Sequence, residues 1–357
     1  MPRAAIVSPD PGNNAGGVER VCLQLSQALE RRGWEVEIVG PTRTPGRWRS
    51  RLGLGYAALS RSATASTRAG GDLDLIVTNG FLGVGCPRRT PRIHVYHGTM
   101  VGNVRAQRGS LPARERLRRT VGAGLTEALA GRGGARVVCV SEPVAEEVRR
   151  LYRLDTDAVI PNGVDVETFA PRPLAAARAR LGLPEGGRFA LFVGSLEHRK
   201  GSDVLLEGAA GAGYELLVAG RSGAPGARHL GVLEPAALAD AYAASDCVLF
   251  PTRYEGCSLV VLEALACGRP LLSTPVGWMG TLLRAVPSYA ELCVEPTVEG
   301  VGAGLRRLGR LDSAAACRAA REFVCSHNSL PVWAERWQAL VGELLDSSAR
   351  SSPPMAR

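Results

Sequence analysis

Short apolar runs recur along the chain, separated by longer stretches in which apolar residues return every three or four positions. The run AAIVS at 4–8 predicts a buried strand, and VERVCLQLSQALERRG predicts a helix after a Gly/Asn loop. Val18, Val21, Cys22, Leu25 and Leu29 share one face of that helix, and Gly33 stops it. EVEIVG then closes a strand-helix-strand unit. LDLIVTNG, RIHVYHG and RVVCVS predict further strands, while RERLRRTVGAGLTEALAG and EPVAEEVRRLY predict helices, the second with Pro143 in its first turn. Strands apolar throughout and alternating with helices imply a parallel sheet covered on both faces.

The pattern breaks at IPNGVDVETFAPRP (160–173), a run of turn formers, and then restarts. FALFVG, YELLVAG, a short strand near HLGVL, DCVLFPT and RPLLSTP are the second set of strands. The reading is an α/β protein of two doubly wound Rossmann-like domains facing across a cleft: 1–165 and 166–330. A C-terminal helix at 331–346 is expected to pack back on the first domain, with 347–357 as a disordered tail. Residues 41–71 predict a long loop or a poorly formed helix.

A length of 357 residues suits two domains, and 45% hydrophobic with 22% charged residues suits a globular chain. No apolar run reaches the ~18–20 residues needed to cross a bilayer, and the first residues lack a signal-like apolar stretch. Nine scattered cysteines show no metal-ligand spacing and read as small buried hydrophobes in a reducing cytoplasm. The net charge of +9 lies almost wholly in the first half, where residues 1–170 hold 24 Arg against 16 acids. That half suits an anionic partner. Nucleic acid is set aside, because the basic stretches carry no interleaved aromatics and no binding motif. Of 43 basic residues, 42 are Arg, and the single lysine is Lys200. A lone compact ammonium in such a chain marks a candidate position.

Chemistry-bearing residues fall where strands of a parallel sheet end. Gly16 and Gly17 open the first helix, so a ligand can approach the backbone and an anion can meet the helix N-terminus. Their spacing is not G-x-G-x-x-G, and no acid ends the second strand, which weighs against a dehydrogenase. His97 ends the strand RIHVY beside Gly98. Arg199 and Lys200 lie in a strand-to-helix turn, suited to a diphosphate. In FPTRYEGCSLVVLEALACGRP, Glu255 precedes a helix with Ser258 as its expected N-cap, and Glu263 sits in the second turn among apolar residues. A carboxylate there is costly unless paired or bonded to ligand hydroxyls.

These segments resemble the retaining glycosyltransferases of family 4, which have the GT-B fold. The matches are GGVER (16–20), HGT (97–99), IPNGVDVETFAP (160–171), RKG (199–201) and YEGCSLVVLEALACGRP (254–270), in the family's order. The resemblance implies that Gly16 and Gly17 face the donor diphosphate and that His97 lies near the transferred sugar. Arg199, Lys200 and the N–H groups of Leu259 and Val260 would bind the diphosphate. Glu255 and the backbone of Gly256, Cys257 and Ser258 would hold sugar hydroxyls; His97 and Glu255 are the expected catalytic pair. Glu263 would hold the ribose, and Gly231, Val232 and Leu233 the base. No essential metal or other cofactor is expected, because cations and a helix dipole stabilise the departing nucleotide.

Ser195 stands where many members carry Arg, and Cys257-Ser258 replace a common Phe-Gly. Trp278 and Met279 replace a Gly or Glu stretch, which points to an unusual donor or acceptor. The partners implied are a nucleotide-sugar donor and an unidentified acceptor, with an anionic one suited to the Arg-rich half. Peripheral contact of PARERLRRTVGAGLTEALAG with an anionic membrane stays open beside a plain packed helix. The alternatives are a nucleotide-sugar epimerase or phosphorylase of the same fold, or a non-catalytic nucleotide-sugar-binding protein.

Overall fold

The computed structural model describes residues 1–11, 16–41, 55–69 and 72–351. The chain divides into two compact units, Met1–Pro161 with Trp333–Arg357, and Asn162–Val332. The first boundary lies four residues before the 165/166 division expected from sequence. Asn162 belongs to the second unit because its Nδ2 donates to the Cys257 carbonyl at 2.6 Å, and Val164 bridges to Ser329. The return falls between residues 332 and 333, inside the helix Leu330–Ser351. That helix takes in 347–351 of the segment expected as a tail, while 352–357 lie outside the described residues. Nothing in SSARS breaks a helix, and the Ser347 and Ser348 hydroxyls donate back to the Leu344 carbonyl. The first two prolines past it are Pro353 and Pro354, beyond the described residues.

The first unit is built on six parallel strands: β1 (Arg3–Val7), β2 (Glu35–Val39), β3 (Leu75–Asn79), β4 (Arg92–Tyr96), β5 (Arg136–Cys139) and β6 (Ala158–Val159). Their order is β2-β1-β3-β4-β5-β6. β3 and β4 are buried at every position, which is why they read as unbroken apolar runs rather than as alternating patterns. Between 41 and 71 the chain forms the helix Gly55–Ala69; residues 42–54 of that expected loop lie outside the described residues.

The second unit repeats the plan with β7 (Phe189–Val193), β8 (Glu215–Ala219), β9 (Arg228–Gly231), β10 (Cys247–Phe250) and β11 (Leu271–Ser273). The order β11-β10-β7-β8-β9 sends the chain to one side after β7 and to the other at β10. Ligands of doubly wound sheets bind at such a reversal, outside the carboxyl ends of the strands. In the first unit the reversal lies between β1 and β3. The nine cysteines are all unpaired. Among the described residues no helix is long and apolar enough to cross a membrane.

Candidate active site

In the second unit the reversal brings two loops together: 194–204 after β7 and 251–258 after β10. Their backbones are locked, with Arg253 N donating to the Arg199 carbonyl at 2.7 Å and Thr252 Oγ1 to the same oxygen at 3.1 Å. Gly201 makes this approach feasible. Its φ is +72°, and a Cβ there would sit 2.2 Å from the Pro251 carbonyl oxygen. A third loop, 274–278, closes against the second through Gly277, where a Cβ would lie 2.2 Å from the Glu255 carbonyl oxygen. Trp278 N donates to the Gly256 carbonyl at 2.7 Å.

Within this frame Glu255 is held by Arg199, whose Nη1 donates to Glu255 Oε1 at 2.6 Å and to the Tyr254 carbonyl at 2.9 Å. Burial alone would lower the guanidinium's affinity for its proton; Glu255 and Glu197 outweigh that and raise it. Ser195, in place of the family's cation, donates to Glu197 Oε1 at 2.6 Å. Arg199 is therefore engaged by carboxylates, which differs from the expectation that it serves the diphosphate directly. Lys200 is placed otherwise. Its Nζ lies over the end of β7, 2.9 Å from where a Cβ on Gly194 would be. Among the described residues no hydrogen bond or ion pair engages that ammonium.

The helix Leu259–Ala266 begins at Ser258, whose hydroxyl makes no capping bond. The first-turn N–H groups of Leu259 and Val260 thus remain as donors without intrahelical acceptors. Further along, Glu263 has no exposed surface, and Tyr242 OH donates to its Oε2 at 2.9 Å. The pairing predicted for a carboxylate among apolar residues exists. It also turns Glu263 inward, so ribose contact requires the surrounding side chains to rearrange. Gly256 and Cys257 are buried and Ser258 half-buried. Glu255, Gly256 and Ser258 line one recess with Thr252, Trp278 and Met279. Gly231 ends β9 with φ +75°, and Val232 beyond it is 60% exposed, a large apolar side chain left open to solvent.

In the first unit Gly16 is the N-cap and Gly17 the first residue of the helix Gly17–Glu30. The Glu19 carboxylate folds over Gly16, 1.9 Å from a would-be Cβ, so an approaching anion must displace it. His97 follows β4, and its Nε2 lies 2.9 Å from Asn79 Oδ1. Asn79 Nδ2 donates to the Val7 carbonyl at 2.8 Å, which leaves Oδ1 to accept and fixes the proton on His97 Nε2. Burial pushes the imidazole down to about 4, so it is neutral near pH 7. The next turn is anchored from below by buried Glu127, whose Oε2 accepts from Met100 N at 2.7 Å and from Tyr152 OH. Burial raises this carboxyl to about 7.

Three positioning residues escaped the sequence reading: Asn79, Asn162 and Glu127. Only Asn162 carried a signal, as part of the IPNGVD run. Asn79 and Glu127 act across 18 and 27 residues of chain, respectively.

Two Rossmann-like units with a cation-bearing turn and a Glu-x7-Glu loop and helix at the second reversal define the class, a GT-B glycosyltransferase architecture. The comparisons agree. Residues 15–168 match the model of Glycosyltransferase Family 4, and residues 187–311 that of Glycosyl transferases group 1. A relative from Xylanimonas cellulosilytica named D-inositol 3-phosphate glycosyltransferase is 32% identical over 79% of this chain and 82% of its own. One of the same name from Segniliparus rotundus is 35% identical over 52% of this chain and 46% of its own, under half the relative's length. Sucrose-phosphate synthase from Thermosynechococcus elongatus shares the fold at TM-score 0.79 and 22% identity, covering 97% of this chain and 100% of that one. The chain belongs to glycosyltransferase family 4.

Proposed function

We propose that the chain is a retaining glycosyltransferase that takes a sugar from a nucleoside-diphosphate donor bound in its second unit. The observation that carries this is Lys200. Its ammonium stands over the end of β7 with no hydrogen bond or ion pair among the described residues, only the longer-range attraction of Glu197, and its loop is joined to the one that leads into the uncapped helix Leu259–Ala266. A cation with no hydrogen-bonded carboxylate and uncapped first-turn N–H donors, on the two loops that meet at the reversal, suit a diphosphate.

Glu255 then takes sugar hydroxyls, with Arg199 holding it in place and the Gly256–Ser258 backbone beside it. Glu263 takes the ribose once its Tyr242 contact opens, and Val232 gives the base an apolar rest. As the sugar's bond to the β-phosphate oxygen breaks, the acceptor hydroxyl bonds to the same face of the anomeric carbon. Its proton passes to the departing phosphate oxygen, so no side chain need act as a dedicated base. Lys200 and the helix N-terminus offset the charge of the leaving diphosphate. On this account no metal is required, and turnover persists with a chelator. Neutral His97, held by Asn79, is assigned to the reacting sugar.

The acceptor is inferred to bear a hydroxyl and an anionic group. Support comes from the Arg-rich first half and from the inositol phosphate in the relatives' name. The test is product formation from a panel of nucleotide sugars with D-inositol 3-phosphate and other phosphorylated polyols. Retention is read from the anomeric configuration of the product. Turnover of donor without any glycosylated acceptor would replace this reading with an epimerase.

A further inference from the structure

The segment Ala113–Ala130 is helical throughout, with a π turn at Arg119–Ala123 between two α stretches. Its packing is inverted relative to an ordinary surface helix. The buried positions are Ala123, Gly124, Thr126, Glu127, Ala128 and Ala130, all but Glu127 small. The large aliphatic residues face outward: Leu117 is 67% exposed, Val121 57%, Leu125 58% and Leu129 47%. Only Met1 and Val232 are other large hydrophobic residues so exposed among the described residues. Core packing cannot account for a stripe that points away from the core.

The spacing of four keeps this stripe continuous. In an α-helix each step of four residues overshoots a full turn, so a stripe drifts round the axis. The wider π turn rotates less per residue and offsets that drift in mid-stripe. π turns of this sort recur at functional sites.

The charge around the stripe says what covers it. Residues 100–132 hold seven Arg and two acids. Of the acids, Glu127 is buried, and Glu115 is held by Arg118 and Arg119, both ion pairs at 2.6 Å. Arg105, Arg108 and Arg114 are exposed, and Arg116 Nη1 ties the Arg108 carbonyl to the helix at 3.0 Å. A second copy of the chain meeting this face by two-fold symmetry would set like charge on like charge. The stripe also has no aromatic residue of the kind that anchors protein interfaces. Leu and Val flanked by Arg suit acyl chains beneath anionic headgroups.

We propose that the helix 113–130 docks on an anionic lipid surface, with Leu117, Val121, Leu125 and Leu129 entering the headgroup boundary. The full chain is mixed with vesicles of phosphatidylglycerol and phosphatidylcholine, or of phosphatidylcholine alone, and pelleted. Binding is expected to the anionic vesicles only, and to weaken as salt is raised. The variant Leu117→Gln/Leu125→Gln should bind at least tenfold more weakly. Its circular dichroism and melting temperature should stay unchanged, since both residues are exposed. Arg105→Glu/Arg114→Glu should weaken binding similarly. Absence of binding to anionic vesicles, equal binding by the folded variants, or a stripe-dependent dimer in place of vesicle binding would each overturn the proposal.

Discussion

Arg199 and Glu255 form a half-buried ion pair at 2.6 Å across two loops that meet only where the sheet order reverses. The guanidinium thus holds the carboxylate proposed for the sugar, while the neighbouring Lys200 is the group proposed for the diphosphate. Arg199→Ala should therefore separate two effects. Affinity for the free nucleoside diphosphate should change less than about threefold, because Lys200 and the helix N-terminus stay in place. kcat/KM should fall roughly 10- to 100-fold, the worth of a charged hydrogen bond of about 1.5–3 kcal/mol. Calorimetry with the nucleotide and steady-state rates with the sugar donor check the split.

Asn162→Ala removes the buried amide that holds the Cys257 carbonyl, and leaves that carbonyl without its 2.6 Å partner. An unpaired buried acceptor costs about 1–3 kcal/mol, so the denaturant midpoint should drop measurably. KM for the donor should rise as well, because the same amide steadies the Gly256–Ser258 backbone. Loss of stability with unchanged KM would confine Asn162 to a structural role.

Glu263 is the residue whose assignment asks for a rearrangement. If it grips the ribose, a donor lacking the ribose hydroxyl should bind the wild type more weakly by about tenfold. In Glu263→Gln that penalty should shrink, giving a coupling in the double cycle. An undiminished penalty would leave Glu263 as an internal brace for Tyr242 alone.

The Glu127 carboxyl, raised to about 7 from an ordinary 4.5, sets a pH dependence of defined sign. The native protein keeps this proton to higher pH than the unfolded chain does. Its stabilising contribution is present below about pH 4.5 and is lost as pH rises to about 7, by about 3 kcal/mol in all. His97 and His94, lowered to about 4 and about 3, act in the opposite sense below pH 6.5. The comparison of wild type with Glu127→Gln therefore isolates the effect. The difference in unfolding free energy between pH 5 and pH 8 should contract in the direction given.

The architecture was legible because the central strands of both sheets are parallel and buried, so most of them announce themselves as apolar runs, several ended by glycine. The need for glycine at 194, 201 and 277 is three-dimensional: each lies against a neighbouring loop or side chain. The pairing of Arg199 with Glu255 spans 56 residues, and no local pattern reveals it. The helix at 113–130 stays open between two readings in the sequence for a related cause. Its periodicity is that of an ordinary amphipathic helix, and only the structure shows which face is packed.

The central claim is that Lys200 and the turn around it bind a nucleoside diphosphate. It is tested most directly by melting temperature against UDP, GDP, dTDP and ADP sugars, for the wild type and Lys200→Ala. The account predicts a stabilisation with at least one nucleotide, roughly 2.7 kcal/mol at about 100 times the dissociation constant, and its loss in the variant. A shift equally large in Lys200→Ala would contradict it.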